Sequence, residues 1–362
     1  MNVKIALLKA AKELKILNVS EPEKSAEFLL RQVLAPSLCH SRPPLSFPRR
    51  RESLRRINSG GNPDIKAWML ANPEYELSPG QEKKFFQYIE RRKRHEPVWY
   101  ITGKIEFYGL DLFVDESVLI PRPETELLVE EVLAHLSLSS RVQVEGSLKK
   151  TKGRGFLHSS LCDVGRNDNI RILELGTGSG AISLAIANAL INGKERLWTS
   201  QNDVQFFASD ISGDALKIAK KNTKKLRLDS RSGSGMTGEG IEFRRGDLLK
   251  PWLGEKFDII AANLPYIPHE DIETLALDIH HWEPRVALDG GKEGLEIYER
   301  LLFQAKDYVN QDAIMFFEIG INQGEKLKKL VRKYLPDAKV TIKKDYSNID
   351  RIAVIKTKNG KT

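Results

Sequence analysis

Cysteine is nearly missing from this chain of 362 residues: it has only Cys39 and Cys162, far apart. That scarcity excludes a disulfide scaffold and a cysteine-built zinc site, so no metal is expected, and it suits a reducing compartment. Also missing is any long unbroken apolar run. The longest are strand-sized and interrupted by charges, which excludes a membrane-spanning helix. The N-terminal MNVKIALLKAAKELKI mixes lysine with apolar residues at helical spacing, unlike the uninterrupted core of a secretory signal, so a cytoplasmic protein is expected. Acidic residues are comparatively few, 49 against 57 Lys and Arg, for a formal net charge of +8. A basic balance points to an acidic partner such as RNA. Much of the excess, however, sits in SRPPLSFPRRRESLRRINSGG (41–61), where Arg42, Arg49, Arg50, Arg51, Arg55 and Arg56 face a single acid, Glu52. Rich in Pro, Ser and Arg and without apolar period, that stretch reads as a solvated insertion, and it supports no more than a weak nonspecific RNA contact.

Periodicity divides the rest. Residues 1–95 read as a small helical domain with the basic insertion near 37–63. Ile5, Leu7, Leu8, Ala11 and Leu14 are expected on one apolar face, and Ser20 with Glu23 has the spacing of a capping box. Ser78, Pro79 and Gln81 give the same signature before KKFFQYIERRKRH. Residues 96–122 read as a linking β-hairpin turning near Gly109, and a helix is expected from Pro123. Residues 138–169 and 228–240 lose all period and read as polar insertions. From 170 onward, RILELG, VQFFASD, IEFRRGD, FDIIAAN and AIMFFEIG alternate with helical sequence, and KVTIKKDYSNIDRIAVIKT closes the chain as two strands. The expected fold class is therefore α/β: a Rossmann-like class I methyltransferase domain over 123–362, its mostly parallel sheet ending in an antiparallel hairpin.

The first strand of that sheet runs into ILELGTGSGAIS. Glu174, Gly176, Thr177, Gly178, Ser179 and Gly180 occupy its end and the following turn, where glycines let backbone approach a ligand closely. Gly176, Gly178 and Ala181 also fit a dinucleotide fingerprint, so an NAD-dependent enzyme stays open. Asp210 ends the second strand, placed to accept both hydroxyls of a ribose; Asp247 and Leu248 follow the third, placed to meet an adenine. Asp210 lies further from the first glycine than the roughly 20 residues of a compact unit, and the polar INGKERLWTSQND absorbs the excess as a loop. With Glu174 before the glycines and no arginine pair for phosphates, the cation of S-adenosylmethionine suits this end better than a pyrophosphate.

The fourth strand ends in NLPY. Asn263 has a side-chain oxygen that can accept from an NH2 group, and Pro265 pushes Leu264 toward extended backbone, aiming its carbonyl in one direction. Those two acceptors could hold both hydrogens of one planar NH2, with Tyr266 walling the pocket. An amide or aromatic amino nitrogen is a weak nucleophile, and orientation plus stabilisation of developing charge would serve it better than a strong base. His95 and His281 are accordingly expected to be structural.

These motifs carry a family resemblance. RRKRHEPVWYITGKIEFYGLDLFV, VLIPRPETELLVE, NLPYIP, EPRVALDGGKEGLEIYERLL, FEIGINQGE and DYSNIDRIAVI cover most of 88–356. In that order they resemble the HemK/PrmC-type methyltransferases, which modify the GGQ glutamine of class 1 peptide chain release factors at its side-chain amide nitrogen, N5. The resemblance implies S-adenosylmethionine as cofactor, a release factor as partner and a monomer with no need of nucleic acid or membrane. It implies that Gly176 to Gly180, Asp210, Asp247 and Leu248 line the cofactor pocket, with Asn263 beside it. Asn263, Leu264, Pro265 and Tyr266 would hold the glutamine, and Arg122, Pro123 and Glu124 would lie close by. Leu264 departs from the family's usual NPPY and matches instead the NLPY of rRNA adenine dimethyltransferases. Methylation of an rRNA adenine at N6, and a non-catalytic nucleoside-binding adaptor, are the rival readings.

Overall fold

The computed structural model describes residues 1–40, 65–137, 170–192, 204–228 and 240–357. The basic stretch 41–61, the stretch 138–169, most of 228–240 and residues 193–203 of the expected loop lie outside them, as does Cys162. The chain divides into two compact units, Met1–Gly103 with Leu275–Trp282, and Lys104–Thr274 with Glu283–Thr362.

The first unit is helical: α1 Val3–Ile16, α2 Pro22–His40, α3 Ile65–Ala71, α4 Pro79–Arg92 and α5 Val98–Thr102. Its core face on α1 is Val3, Ala6, Ala10 and Leu14, whereas Ile5 and Leu8 are exposed. The expected face was thus rotated, because the small alanines, not the larger aliphatics, let α1 approach its neighbours. Ser78 and Gln81 do close a capping box on α4. Ser20 does not cap: α2 begins at Pro22, and the Ser20 hydroxyl accepts from Arg92 at 2.7 Å and donates to Asp278 at 2.8 Å. Arg92 is 3% exposed. Its guanidinium also donates to Ser25 Oγ and to the His95 and Glu96 carbonyls. Asp278, on the short helix Leu277–His280, ties Leu275–Trp282 to these helices, as does the Trp282 indole donating to the Arg94 carbonyl.

The hairpin expected over 96–122 is narrower. Pro97, with φ −57°, starts a helical turn over Val98–Thr102, and Gly103 at φ 72° ends it. The β-branched residues of that turn imitate a strand. The hairpin proper is β1 Lys104–Phe107 and β2 Leu110–Phe113, closed by Tyr108 and Gly109, both at positive φ. It groups with the second unit, so the division falls at Gly103, not at 95.

In the second unit a 3₁₀ turn at Pro123–Thr125 leads into α6, 126–137. Then come β3 Ile170–Leu175, α7 Ala181–Asn192, β4 Val204–Asp210, α8 Gly213–Lys225, β5 Ile241–Arg245 and β6 Phe257–Ala262. After α9 Leu277–His280 follow α10 Glu296–Ala305, β7 Val309–Glu318, α11 Gly324–Tyr334, β8 Lys339–Lys344 and β9 Asp350–Lys356. The seven strands stand in the order β5-β4-β3-β6-β7-β9-β8, parallel except for β9. That is the Rossmann-like class I methyltransferase sheet, with its switch of direction between β3 and β6. Alternate residues of one face, Leu173, Leu175, Ile260, Ala262, Met315 and Phe317, share a core with α10 and α11. The intervening residues Ile172, Ala208, Ile259, Ala261 and Phe316 are buried too, which is why these strands read as continuous apolar runs.

Arg92→Met should destabilise the helical unit by roughly 3 kcal/mol, since it leaves Asp278 and the Ser20, His95 and Glu96 carbonyls without their buried donor. Urea unfolding of the whole chain followed by circular dichroism checks this, and an unchanged midpoint would show the network to be dispensable.

Candidate active site

Parallel pairing sets the site. Leu175 pairs with Ser209 on one side and with Ala262 on the other, so the turn after β3, the end of β4 and the tetrapeptide after β6 all emerge at one edge. Gly176, Gly178 and Gly180 have φ of 67°, 53° and 84°, a conformation that glycine adopts without strain. The turn is anchored by the Gly176 and Thr177 N–H groups on the Ser209 carbonyl and by Gly178 N–H on Asp210 Oδ2 at 2.8 Å. Asn222 on α8 was not anticipated. Fully buried, it donates to the Ser179 carbonyl at 2.8 Å and exchanges two hydrogen bonds with Phe113, tying the hairpin to the glycine turn.

The predicted acids occupy different surroundings. Glu174 is buried inside the turn, accepting from Thr177 Oγ1 at 2.7 Å and from Ser183 N–H at 3.1 Å; burial pushes its carboxyl up to about 7 against those donors. It therefore shapes the turn and does not project from it. Asp210 is also raised by burial, with the Ser212 and Gly178 N–H groups opposing. Ser212 N–H donates to Oδ1 and Gly178 N–H to Oδ2, with Ile211 N–H opposing the rise as well. Asp247 behaves oppositely. Partial burial works against its charge, but Lys250 and Arg300 outweigh it and hold the carboxyl below the usual range. Leu248 follows at φ 52°.

Asn263 lies against the glycine turn: a Cβ on Gly176 would come within 3.9 Å of its carbonyl and 3.0 Å of Leu264 Cδ2. Its Nδ2 donates to Thr125 Oγ1 at 3.1 Å, which leaves Oδ1 as the acceptor end. Thr125 closes the turn that Pro123 and Glu124 begin, so this is how PRPET reaches the tetrapeptide. Arg122 instead pairs with buried Glu283 at 2.5 Å, while Glu283 also accepts from Ile120 N–H. Tyr266 donates through its hydroxyl to Glu318 Oε1 at 3.3 Å. Glu318, at the end of β7, is 1% exposed, and its Oε2 has no hydrogen-bond partner. Burial raises its pKa, against the pull of Thr125, Arg351 and Tyr266. The sequence did carry a signal for it, an acid closing an apolar strand as Asp210 does. Among the described residues no group of three His, Cys, Asp or Glu could hold a metal, and no helix is long and apolar enough to cross a membrane.

Because burial raises Glu174 above its unfolded value, the folded chain holds the extra proton, and stability should fall as pH rises from about 4.5 to about 7. Glu174→Gln should flatten part of that slope in melting temperatures recorded across the window, Asp210 and Glu318 supplying the remainder. An identical slope would place Glu174 in a wetter site.

Residues 66–103 match the family model described as PrmC N-terminal domain, and 166–281 match a methyltransferase domain model. A release factor glutamine methyltransferase of Clostridium acetobutylicum is 33% identical over 80% of this chain and 85% of its own. One from Moorella thermoacetica is 33% identical over 83% and 94%, and one from Bacillus subtilis 32% identical over 78% and 83%. At that identity, over most of both chains, this protein belongs to the release factor glutamine methyltransferase family.

Proposed function

We propose that the protein methylates the side-chain amide nitrogen of the GGQ glutamine in a class 1 peptide chain release factor, in the cytoplasm, with S-adenosylmethionine as methyl donor. The observation that carries this reading is the fixed orientation of Asn263. Thr125 holds the Nδ2 end, so Oδ1 is presented to a substrate N–H, and the Leu264 carbonyl, aimed by Pro265, offers a second acceptor for the other hydrogen. A planar primary amide held at both hydrogens keeps its nitrogen in place.

The glycine turn with its positive φ values and the Asp210 carboxylate at the neighbouring strand end fit a nucleoside that carries a positive charge. Gly176 to Gly180 would approach the methionine moiety, Asp210 the ribose hydroxyls, and Asp247 with Leu248 the adenine. When bound, the cofactor supplies an electrophilic methyl group. The chain's own part is to align the amide and shield it: Tyr266 flanks the plane, and its hydroxyl, tied to Glu318, keeps the ring from turning away. Arg122, paired with Glu283, supports the segment leading to Thr125. No general base is required of His95 or His281.

The test is transfer of labelled methyl from S-adenosylmethionine to a purified release factor, beside the same factor with its GGQ glutamine replaced and beside rRNA. Label on the unaltered factor alone is expected; label on rRNA alone would reverse the substrate class. Asn263→Ala should lower turnover about 100-fold or more while calorimetry shows cofactor affinity nearly unchanged. Full turnover in that variant would move the site elsewhere.

A further inference from the structure

Leucine at 264 brings something that a proline there would lack, a backbone N–H, and the place it occupies is dry: Leu264 is 4% exposed. A buried N–H without an acceptor is costly, and in a strand-to-turn junction it also invites the peptide to rotate toward any acceptor it can reach. The structure supplies one. The N–H donates at 3.1 Å to the phenolic oxygen of Tyr298, which comes from α10, well outside the tetrapeptide, and is itself fully buried. The same hydroxyl donates onward to the Glu318 carbonyl at the end of β7, with the Ala262 carbonyl at the end of β6 at 3.4 Å. Burial holds this phenol in its protonated form, so it remains both acceptor and donor.

We infer that Tyr298 is a positioning residue for the methyl transfer: by accepting the Leu264 N–H it restores the restraint that proline would give, and so keeps the Leu264 carbonyl aimed at the substrate amide. The inference rests on the proposed glutamine-binding role of Asn263 and Leu264. Two geometric features support it. Tyr298 is the point where the ends of two neighbouring strands and the tetrapeptide meet, so it fixes that N–H relative to the sheet and not merely to a loop. The other side of the segment is closed as well: a Cβ on Gly290 would fall 2.8 Å from the Pro265 carbonyl, and Gln323 Nε2 donates to the Tyr266 carbonyl at 2.8 Å. The Leu264 N–H is then held by a single side-chain hydroxyl, that of Tyr298.

A cycle of four chains separates this role from simple packing. Tyr298→Phe keeps the ring and removes the acceptor; Leu264→Pro removes the donor. Tyr298→Phe should lower kcat about tenfold in the native background, with cofactor Kd unchanged, and should cost no more than about threefold when Leu264→Pro is also present. Leu264→Ala with Tyr298→Phe, which keeps the N–H, should show no such rescue, so that loss of leucine packing cannot imitate the effect. Equal losses from Tyr298→Phe in both backgrounds would overturn the inference, as would no loss in the native one. Amide hydrogen exchange at Leu264 gives a readout that needs no substrate: protection should fall on Tyr298→Phe, and unchanged protection would also overturn it. Failure of the native chain to label a release factor would instead strike at the proposed function, leaving the exchange result to be judged alone.

Discussion

The site depends on one close approach, that of the glycine turn after β3 to the tetrapeptide after β6. Parallel pairing with Leu175 opposite Ala262 delivers both to the same edge of the sheet, and the absence of a side chain at Gly176 leaves room for Leu264 to lie over the turn. A register shift of one residue would exchange the faces of β6 and bury the wrong side chains. The apolar residues of β3 and β6, packed on both faces of the sheet, are therefore what fixes the distance between the turn and Asn263. Asn222 extends this control outward, because its amide joins the Ser179 carbonyl to the hairpin at Phe113.

Around that contact the tetrapeptide is held more by its neighbours than by itself. Gly290 and Gly294 can have no side chains, since a Cβ there would strike the Pro265 or Tyr266 carbonyl. Gln323 bridges Gly320 N–H, the Tyr266 carbonyl and the Gly294 carbonyl. These residues come from EPRVALDGGKEGLEIYERLL and FEIGINQGE, long motifs outside the tetrapeptide.

What the sequence made legible were features with a local cause. Alternation of strands and helices, glycines needing positive φ, acids at strand ends and a proline after Leu264 all have short-range signatures, and each lies where expected. The α1 face and the Ser20 cap failed for the opposite reason. Alanines buried by helix contact look neutral in a periodicity count, and Ser20 prefers Arg92 and Asp278, a partner 258 residues away, to the helix beside it. Val98–Thr102 reads as strand from its β-branched residues until Pro97 and Gly103 are taken as a start and a stop. Thr125, Tyr298 and Asn222 were invisible because their importance lies entirely in tertiary contacts.

The acids at the strand ends bear on the proposed cofactor, because the glycine turn alone fits either a sulfonium nucleoside or a dinucleotide. Glu174, Asp210 and Glu318 stand at the ends of β3, β4 and β7, and burial raises all three. A ligand with a positive charge beside Asp210 would relieve that cost there, favouring its ionised form. A pyrophosphate would add like charge to a region already poor in solvent. Asp247 is held by Arg300 and Lys250, so those cations are already engaged and are not offered to a phosphate. The glycine turn and Asp210, side by side at the ends of β3 and β4, are what the proposed S-adenosylmethionine site rests on.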